Sequence, residues 1–218
     1  MYINIHSHQL PANNEWVIQN RYQHFDNLLA GSQYSIGLHP WYIDATNWPQ
    51  QMEALTHYST SNNVLAIGEC GLDKVCTTDF IIQQQVFIRQ IALANTIGKP
   101  LLIHCVRAFD EVQLLLEKNK VQVPVIFHGF NKSRALAQQL AGKGYYISFG
   151  KALQLPAVQL VLAGLPLPQI FLETDAAALS IAGVYALAAS ALQIDITALS
   201  LQIAKNTATV FGNTILPV

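Results

Sequence analysis

Charge is what this sequence has least of. Lys and Arg number 12 and Asp and Glu 13 among 218 residues, 11% in all, for a net charge of −1. That balance excludes the broad basic field by which proteins hold duplex DNA non-specifically. It does not exclude a nucleotide substrate, because a bound metal can supply positive charge locally. Cysteine is also sparse: Cys70, Cys76 and Cys105 are an odd number with no repeated close pair, which argues against a disulfide framework. No secretory leader precedes the first strand, so the expectation is a cytoplasmic protein with reduced thiols. Long apolar runs are missing as well. The uncharged stretch 176–192 falls short of the roughly 20 residues a spanning helix needs. It contains Ser180, Gly183, Tyr185 and Ser190, and reads as a buried or surface-packed segment with one or two helical turns; no membrane contact is expected. What the chain does have is apolar content, 51%, enough for a well-buried core. Neither a linker nor an internal repeat interrupts it, and one domain over 1–218 is the expectation.

Short apolar strands are expected at 3–8, 15–22, 34–38, 64–67, 101–103, 123–127, 145–149 and 169–172. Helical periodicity falls at 50–59, 79–97, 109–119, 132–143, 156–163 and 197–211, with Thr77, Thr78 or Asp79 able to cap the clearest helix. Eight strands mostly alternating with helices predict an α/β fold, a single (β/α)8 TIM-type barrel. The helix after the second strand is missing, so the barrel is irregular, with a shortened second βα unit.

The polar residues follow a positional rule. His6 and His8, one residue apart, point the same way on a strand of period 2. His39, Glu69, His104, His128 and Asp175 each follow an apolar run in the same manner. A single strand-end histidine is ordinarily a hydrogen-bonded loop residue. All of these together are not, because scattered loop histidines have no reason to choose the same end of every strand, the end where barrels build active sites. Imidazoles and carboxylates suit zinc, manganese, iron or, less comfortably, magnesium. So many donors exceed what one tetrahedral ion takes but suit two ions sharing a carboxylate, for which Glu69 is the candidate. Metal-assisted hydrolysis is the reaction class this points to.

The ordered motifs have a family likeness. His6-Ser7-His8, Gly37-Leu38-His39-Pro40, Ile67-Gly68-Glu69-Cys70-Gly71-Leu72-Asp73, Lys99-Pro100 through His104, Phe127-His128-Gly129-Phe130, Leu172-Glu173-Thr174-Asp175 and Asn206-Thr207-Ala208 run from one end to the other. Gln83 and Phe87, then Gln90 and Ala94, fit the helix after the Gly-Leu-Asp motif. As a set they resemble the TatD family of metal-dependent deoxyribonucleases, within the amidohydrolase-like barrels. The resemblance implies two divalent cations (Zn, Mn or Mg) on His6, His8, Glu69, His104, His128 and Asp175. It implies a DNA or other phosphodiester substrate, single-stranded or at an end, cleaved by a metal-activated hydroxide. Asp175 and Glu69 are then catalytic, with Asp175 orienting the hydroxide and taking its proton. His39 would face the substrate phosphate, with Arg107 and more weakly Lys132 as further contacts, and Glu173 and Asn4 would stand behind the ligands. No obligate protein partner is implied.

The departures lie outside the metal set. Asn4 stands where the family usually has Asp, Val106 replaces an arginine that Arg107 follows, and Gly129-Phe130-Asn131-Lys132 replaces Cys-Phe-Ser-Gly. Ala176-Ala177 replaces an Ala-Pro step, and the polar loop expected there gives way to the Ala-rich stretch. The segment between His8 and Tyr34 is short. A hydrolase of another bond, amide or lactone, and a catalytically silent metal-binding barrel are the alternatives these changes leave open.

Overall fold

The structure is a computed structural model and describes residues 1–212; 213–218, the end of the domain expected over 1–218, lie outside the described residues. Its eight strands are all parallel and ordered as in the chain. Contacts divide the chain into two compact units, Met1–Gln19 with Ile126 onward, and Asn20–Val125.

In the first unit, β1 (Tyr2–Ser7) pairs in parallel with the start of β2 (Glu15–Arg21), Tyr2 opposite Glu15. Further along, β6 (Val125–Phe127), β7 (Tyr146–Phe149) and β8 (Ile170–Leu172) pair in turn, Phe149 opposite Leu172. β8 leads back to β1 through a parallel bridge between Asp175 and Ser7. Four helices follow these strands: α4 (Arg134–Gly142), α5 (Pro156–Leu162), α6 (Ile181–Leu192) and α7 (Ile196–Phe211). Tyr185 of α6 is buried and ties the helix to β1, its hydroxyl accepting from Ile3 N–H at 3.2 Å and donating to Ile3 O at 3.1 Å.

In the second unit, β3 (Gln33–Ile36), β4 (Val64–Asp73) and β5 (Leu101–Val106) pair in order, with α1 (Trp48–Ser59), α2 (Phe80–Ile97) and α3 (Phe109–Lys118) between or after them. No helix lies between β2 and β3, as expected. α2 starts where Asp79 accepts from the N–H groups of Ile81 and Ile82, and ends where Gly98 takes a φ of 68°.

Three expectations need correction. The strand expected at 64–67 continues to Asp73, wholly buried, so Glu69 lies inside a strand rather than at its end. Gly68 and Gly71 read as a break, yet they accommodate a bulge between Ile67 and Cys70, and a Cβ on Gly71 would collide with the His104 carbonyl of the paired strand. The strand expected at 101–103 likewise runs on to Val106 and takes in His104. The stretch 176–192 forms a 12-residue helix, not one or two turns: Ser180 caps it by accepting from Gly183 N–H, and Ile181, Val184, Tyr185, Ala188 and Ala189 make a buried face. Among the described residues no single helix is long and apolar enough to cross a membrane; α6 and α7 reach that length only as a pair bent by 105°.

Candidate metal centre

Each unit holds a cluster of metal-capable side chains. In the first unit, β1 carries His6, fully buried, and His8, exposed one residue past the strand. Asp175 meets them through its backbone. Its N–H donates to His6 O at 3.0 Å and its carbonyl accepts from His8 N–H at 3.2 Å. Its φ of 53° is in the left-handed region, which Asp tolerates better than most residues. This clamp sets the Asp175 Oδ1 atom 3.6 Å from His6 Nε2 and 3.3 Å from His8 Nε2. The His128 ring lies 4.4 Å from that of His6, and its Nδ1 is 3.3 Å from Oε1 of buried Glu173, which also accepts from Gly129 N–H at 2.8 Å. Burial raises the Asp175 pKa, but the hydrogen bonds of His6 and His8 and the charges of His6 and His128 outweigh it and hold the carboxyl well below the usual range.

Asn4 secures the same corner. Its Nδ2 donates to Thr174 Oγ1 at 2.8 Å, its Oδ1 accepts from Thr174 N–H at 3.1 Å, and Thr174 Oγ1 bonds Ser7 Oγ at 3.1 Å. An amide serves here because it both donates and accepts; it holds the chain just before Asp175 rather than supplying charge.

In the second unit, the Glu69 Oε1 atom lies 2.7 Å from His104 Nδ1 and 3.1 Å from His39 Nε2. Asn20 clasps the glutamate from behind, accepting from Glu69 N–H at 2.9 Å and donating to Oε2 at 3.3 Å. The other nitrogen of His104, Nε2, faces Asp73 Oδ2 at 3.1 Å, which also accepts from the Trp41 indole at 2.6 Å. Burial raises the Asp73 pKa; bonds from Trp41, Val75 N–H and His104 outweigh that and lower it, so Asp73 stands as a carboxylate. A carboxylate at Nε2 places the neutral-ring proton there and leaves the Nδ1 lone pair towards Glu69. A hydrogen-bond donor or a cation reconciles two acceptors 2.7 Å apart: the His39 Nε2 atom lies 3.1 Å from Glu69 Oε1 and 3.2 Å from His104 Nδ1, and a metal ion would do the same. His104 and Glu69 thus fit a divalent ion by donor type, as do His6, His8 and Asp175, whose donor atoms lie within 4.8 Å of one another.

Distance alone adds His39 to the second set. Its Nδ1, however, accepts from Trp41 N–H at 3.1 Å, capping the tight turn Pro40–Tyr42. A neutral ring that accepts at Nδ1 carries its proton on Nε2, so His39 enters the cluster as a donor rather than a ligand. Arg107 is exposed on left-handed backbone just past β5, and Lys132 is exposed; among the described residues neither joins a cluster by a hydrogen bond or ion pair. Asp73, Asn20 and Trp41 are the residues sequence reasoning missed. For Asp73 a signal existed, since it closes the Gly-Leu-Asp motif. Cys70 is no nucleophile: burial pushes its thiol up.

An eight-stranded parallel α/β barrel carrying imidazole and carboxylate clusters defines the class. Two solved structures share that fold: the TatD homolog YjjV of Escherichia coli K12 (TM-score 0.82, 22% identity, covering 97% of this chain and 98% of that one) and a TatD family hydrolase of Entamoeba histolytica (TM-score 0.81, 15% identity, the same coverage). The family model described as TatD related DNase matches residues 20–212, and the chain belongs to that family. An uncharacterized metal-dependent hydrolase of Buchnera aphidicola subsp. Baizongia pistaciae is 34% identical over 151 residues, 67% of this chain and 56% of that protein. The 3'-5' ssDNA/RNA exonuclease TatD of Klebsiella pneumoniae is 31% identical over 159 residues, 67% of this chain and 58% of that protein. The matched stretch therefore spans little more than half of these relatives, 56% and 58%.

Proposed function

We propose that the protein is a metal-dependent hydrolase that cleaves phosphodiester bonds of single-stranded DNA or of strand ends. The observation that carries this is the Glu69–His104 pair, a carboxylate oxygen and an imidazole nitrogen 2.7 Å apart with Asp73 fixing the ring behind them, a donor set that suits a divalent ion. The second cluster, His6, His8 and Asp175, offers another set of the same chemistry. The name of the Klebsiella relative supports single strands as substrate. Two divalent ions on these residues are what the family resemblance implies. When bound, such ions lower the pKa of water towards about 7 and offset phosphate charge.

The chain's own residues then have separate tasks. Asp175, held between His6 and His8 by its backbone, orients the attacking water and takes its proton. His39 offers its Nε2–H to a phosphate oxygen, its other nitrogen fixed by Trp41 N–H. Glu173 orients His128 through Nδ1. The test is hydrolysis of a single-stranded oligonucleotide and of bis-p-nitrophenyl phosphate with added manganese. Glu69→Ala and Asp175→Ala are each expected to lose more than about 100-fold in rate, since even the groups behind metal ligands are worth about 10- to 100-fold. Activity surviving in both variants would overturn the reading.

A further inference from the structure

Trp41 is out of place by the ordinary rules of folding. It is 56% exposed, the most apolar-rich side chain in its turn, yet it is not loose. Its indole N–H is held by Asp73 Oδ2 at 2.6 Å and its backbone N–H by His39 Nδ1 at 3.1 Å. Its ring stands edge-on to that of His39 at 5.3 Å and lies 6.1 Å from that of His104. Tyr42, 47% exposed, follows at 6.4 Å and is itself braced by parallel stacking on Tyr22 at 4.2 Å. A large aromatic surface is thus kept in water, immobilised, and joined by two hydrogen bonds to the residues that form the second cluster. Immobilising it in advance removes the ordering cost a ligand would otherwise meet.

Resting on the phosphodiesterase reading above, we infer that Trp41 is a stacking platform for an unpaired base of the substrate, with Tyr42 beside it. The scarcity of charge supports this. With 12 Lys and Arg against 13 Asp and Glu, the chain has little cationic surface with which to track a phosphate backbone. Base–aromatic stacking is the attraction that remains, and it tolerates any sequence because every base has a π face. It also selects single strands, since a paired and stacked base has no face to offer.

The test compares binding of a labelled oligothymidylate with that of the same strand bearing abasic terminal nucleotides, by fluorescence anisotropy. The wild-type chain is expected to prefer the base-bearing strand by about 5- to 150-fold, the range of one stacked base. Trp41→Ala should bind both strands alike, and Trp41→Phe should keep part of the preference. As a further check, bound oligothymidylate should shield tryptophan emission from acrylamide in the wild type but not in Trp41→Ala, which keeps buried Trp16 and half-buried Trp48 as reporters. No preference in the wild type, or the full preference in Trp41→Ala, overturns the inference. Cleavage is scored separately: if the wild type cleaves both strands equally well, the platform fails and the phosphodiesterase reading stands. If it binds with the base preference but cleaves neither, that reading fails and the platform stands.

Discussion

One carboxylate, Asp73, links the parts of the second cluster. Its Oδ2 accepts from both Trp41 and His104, and its Oδ1 accepts from Val75 N–H at 2.7 Å, so all of it is committed and only 1% is exposed. Asp73→Asn would present an amide N–H either to His104 Nε2 or to Val75 N–H. The first inverts the histidine tautomer and moves its proton onto the nitrogen that faces Glu69; the second sets donor against donor. We expect Asp73→Asn to weaken zinc or manganese binding by about 10- to 100-fold, as loss of a partner behind a ligand does, and, because either orientation sets an amide N–H against the Trp41 indole or Val75 N–H, to destabilise the metal-free protein by about 1–3 kcal/mol as well. Calorimetric titration with each metal reads this, and unchanged affinity would show that Asp73 does not set the ring. At Asn4 the residue-scale lesson is the reverse: the substitution that reads as a lost charge is a two-way amide bond to Thr174.

At the scale of elements, α2 sets the second cluster from behind. Gln83 and Gln90 lie two turns apart on its buried face. Gln90 accepts from Leu38 N–H at 2.8 Å and donates to Leu38 O at 3.1 Å, fixing the chain one residue before His39. Gln83 does the same for Asp73, at 2.8 and 3.0 Å. Gln90→Leu would keep the bulk and leave Leu38 with two buried, unsatisfied backbone groups. A loss of about 1–3 kcal/mol is expected, measured as a lower urea midpoint at unchanged slope. These glutamines were visible in the sequence as part of a family pattern, but not their task, because burial of a polar side chain depends on which backbone it meets. The strands and their order were legible because each is a short apolar run. The length of β4 was not, since Gly68 and Gly71 are breakers in a chain read alone and close-packing positions once β5 lies alongside. The length of α6 is hidden for a related reason: an alanine-rich run has strong helix propensity but little amphipathic pattern, and the Tyr185 contact that fixes it lies 182 residues away at Ile3. His39 and Asp73 stand within motifs, yet the direction of their hydrogen bonds, which assigns their tasks, is a property of three dimensions.

For the whole molecule, two carboxylates set the sign of part of the acid response. Asp195 caps α7, and the backbone N–H of Thr197 leads the bonds that lower its pKa; Asp44 is lowered by the N–H and hydroxyl of Thr46. A carboxyl with a lower pKa when folded binds fewer protons folded than unfolded. Its contribution is complete above the ordinary carboxylate range, about pH 4, and is lost as pH falls through the folded value. Asp195→Asn and Asp44→Asn should therefore flatten the fall in urea midpoint below about pH 4 and leave its value there nearly that of the wild type. Both groups are exposed, so the difference should shrink in high salt. An unchanged acid slope in both variants would mean that the caps make no contribution through charge.

Metal is expected to act on the same equilibrium more strongly, and it separates the two clusters without reference to any substrate. A ligand that binds only the folded chain stabilises it by about 2.7 kcal/mol at a hundredfold excess over its Kd. For a chain of this length, 1 kcal/mol moves the melting temperature by about 2–4 °C. Each occupied cluster should therefore raise the melting temperature of chelator-treated protein by about 5–10 °C. Glu69→Ala should abolish the shift that belongs to the second cluster, with its His104 partner, and Asp175→Ala the shift that belongs to the first, with His6 and His8. The double variant should melt at the same temperature with metal or chelator. If Asp175→Ala shows the full wild-type shift, the first cluster does not hold metal in the folded protein, and the shift belongs to Glu69 and His104 alone.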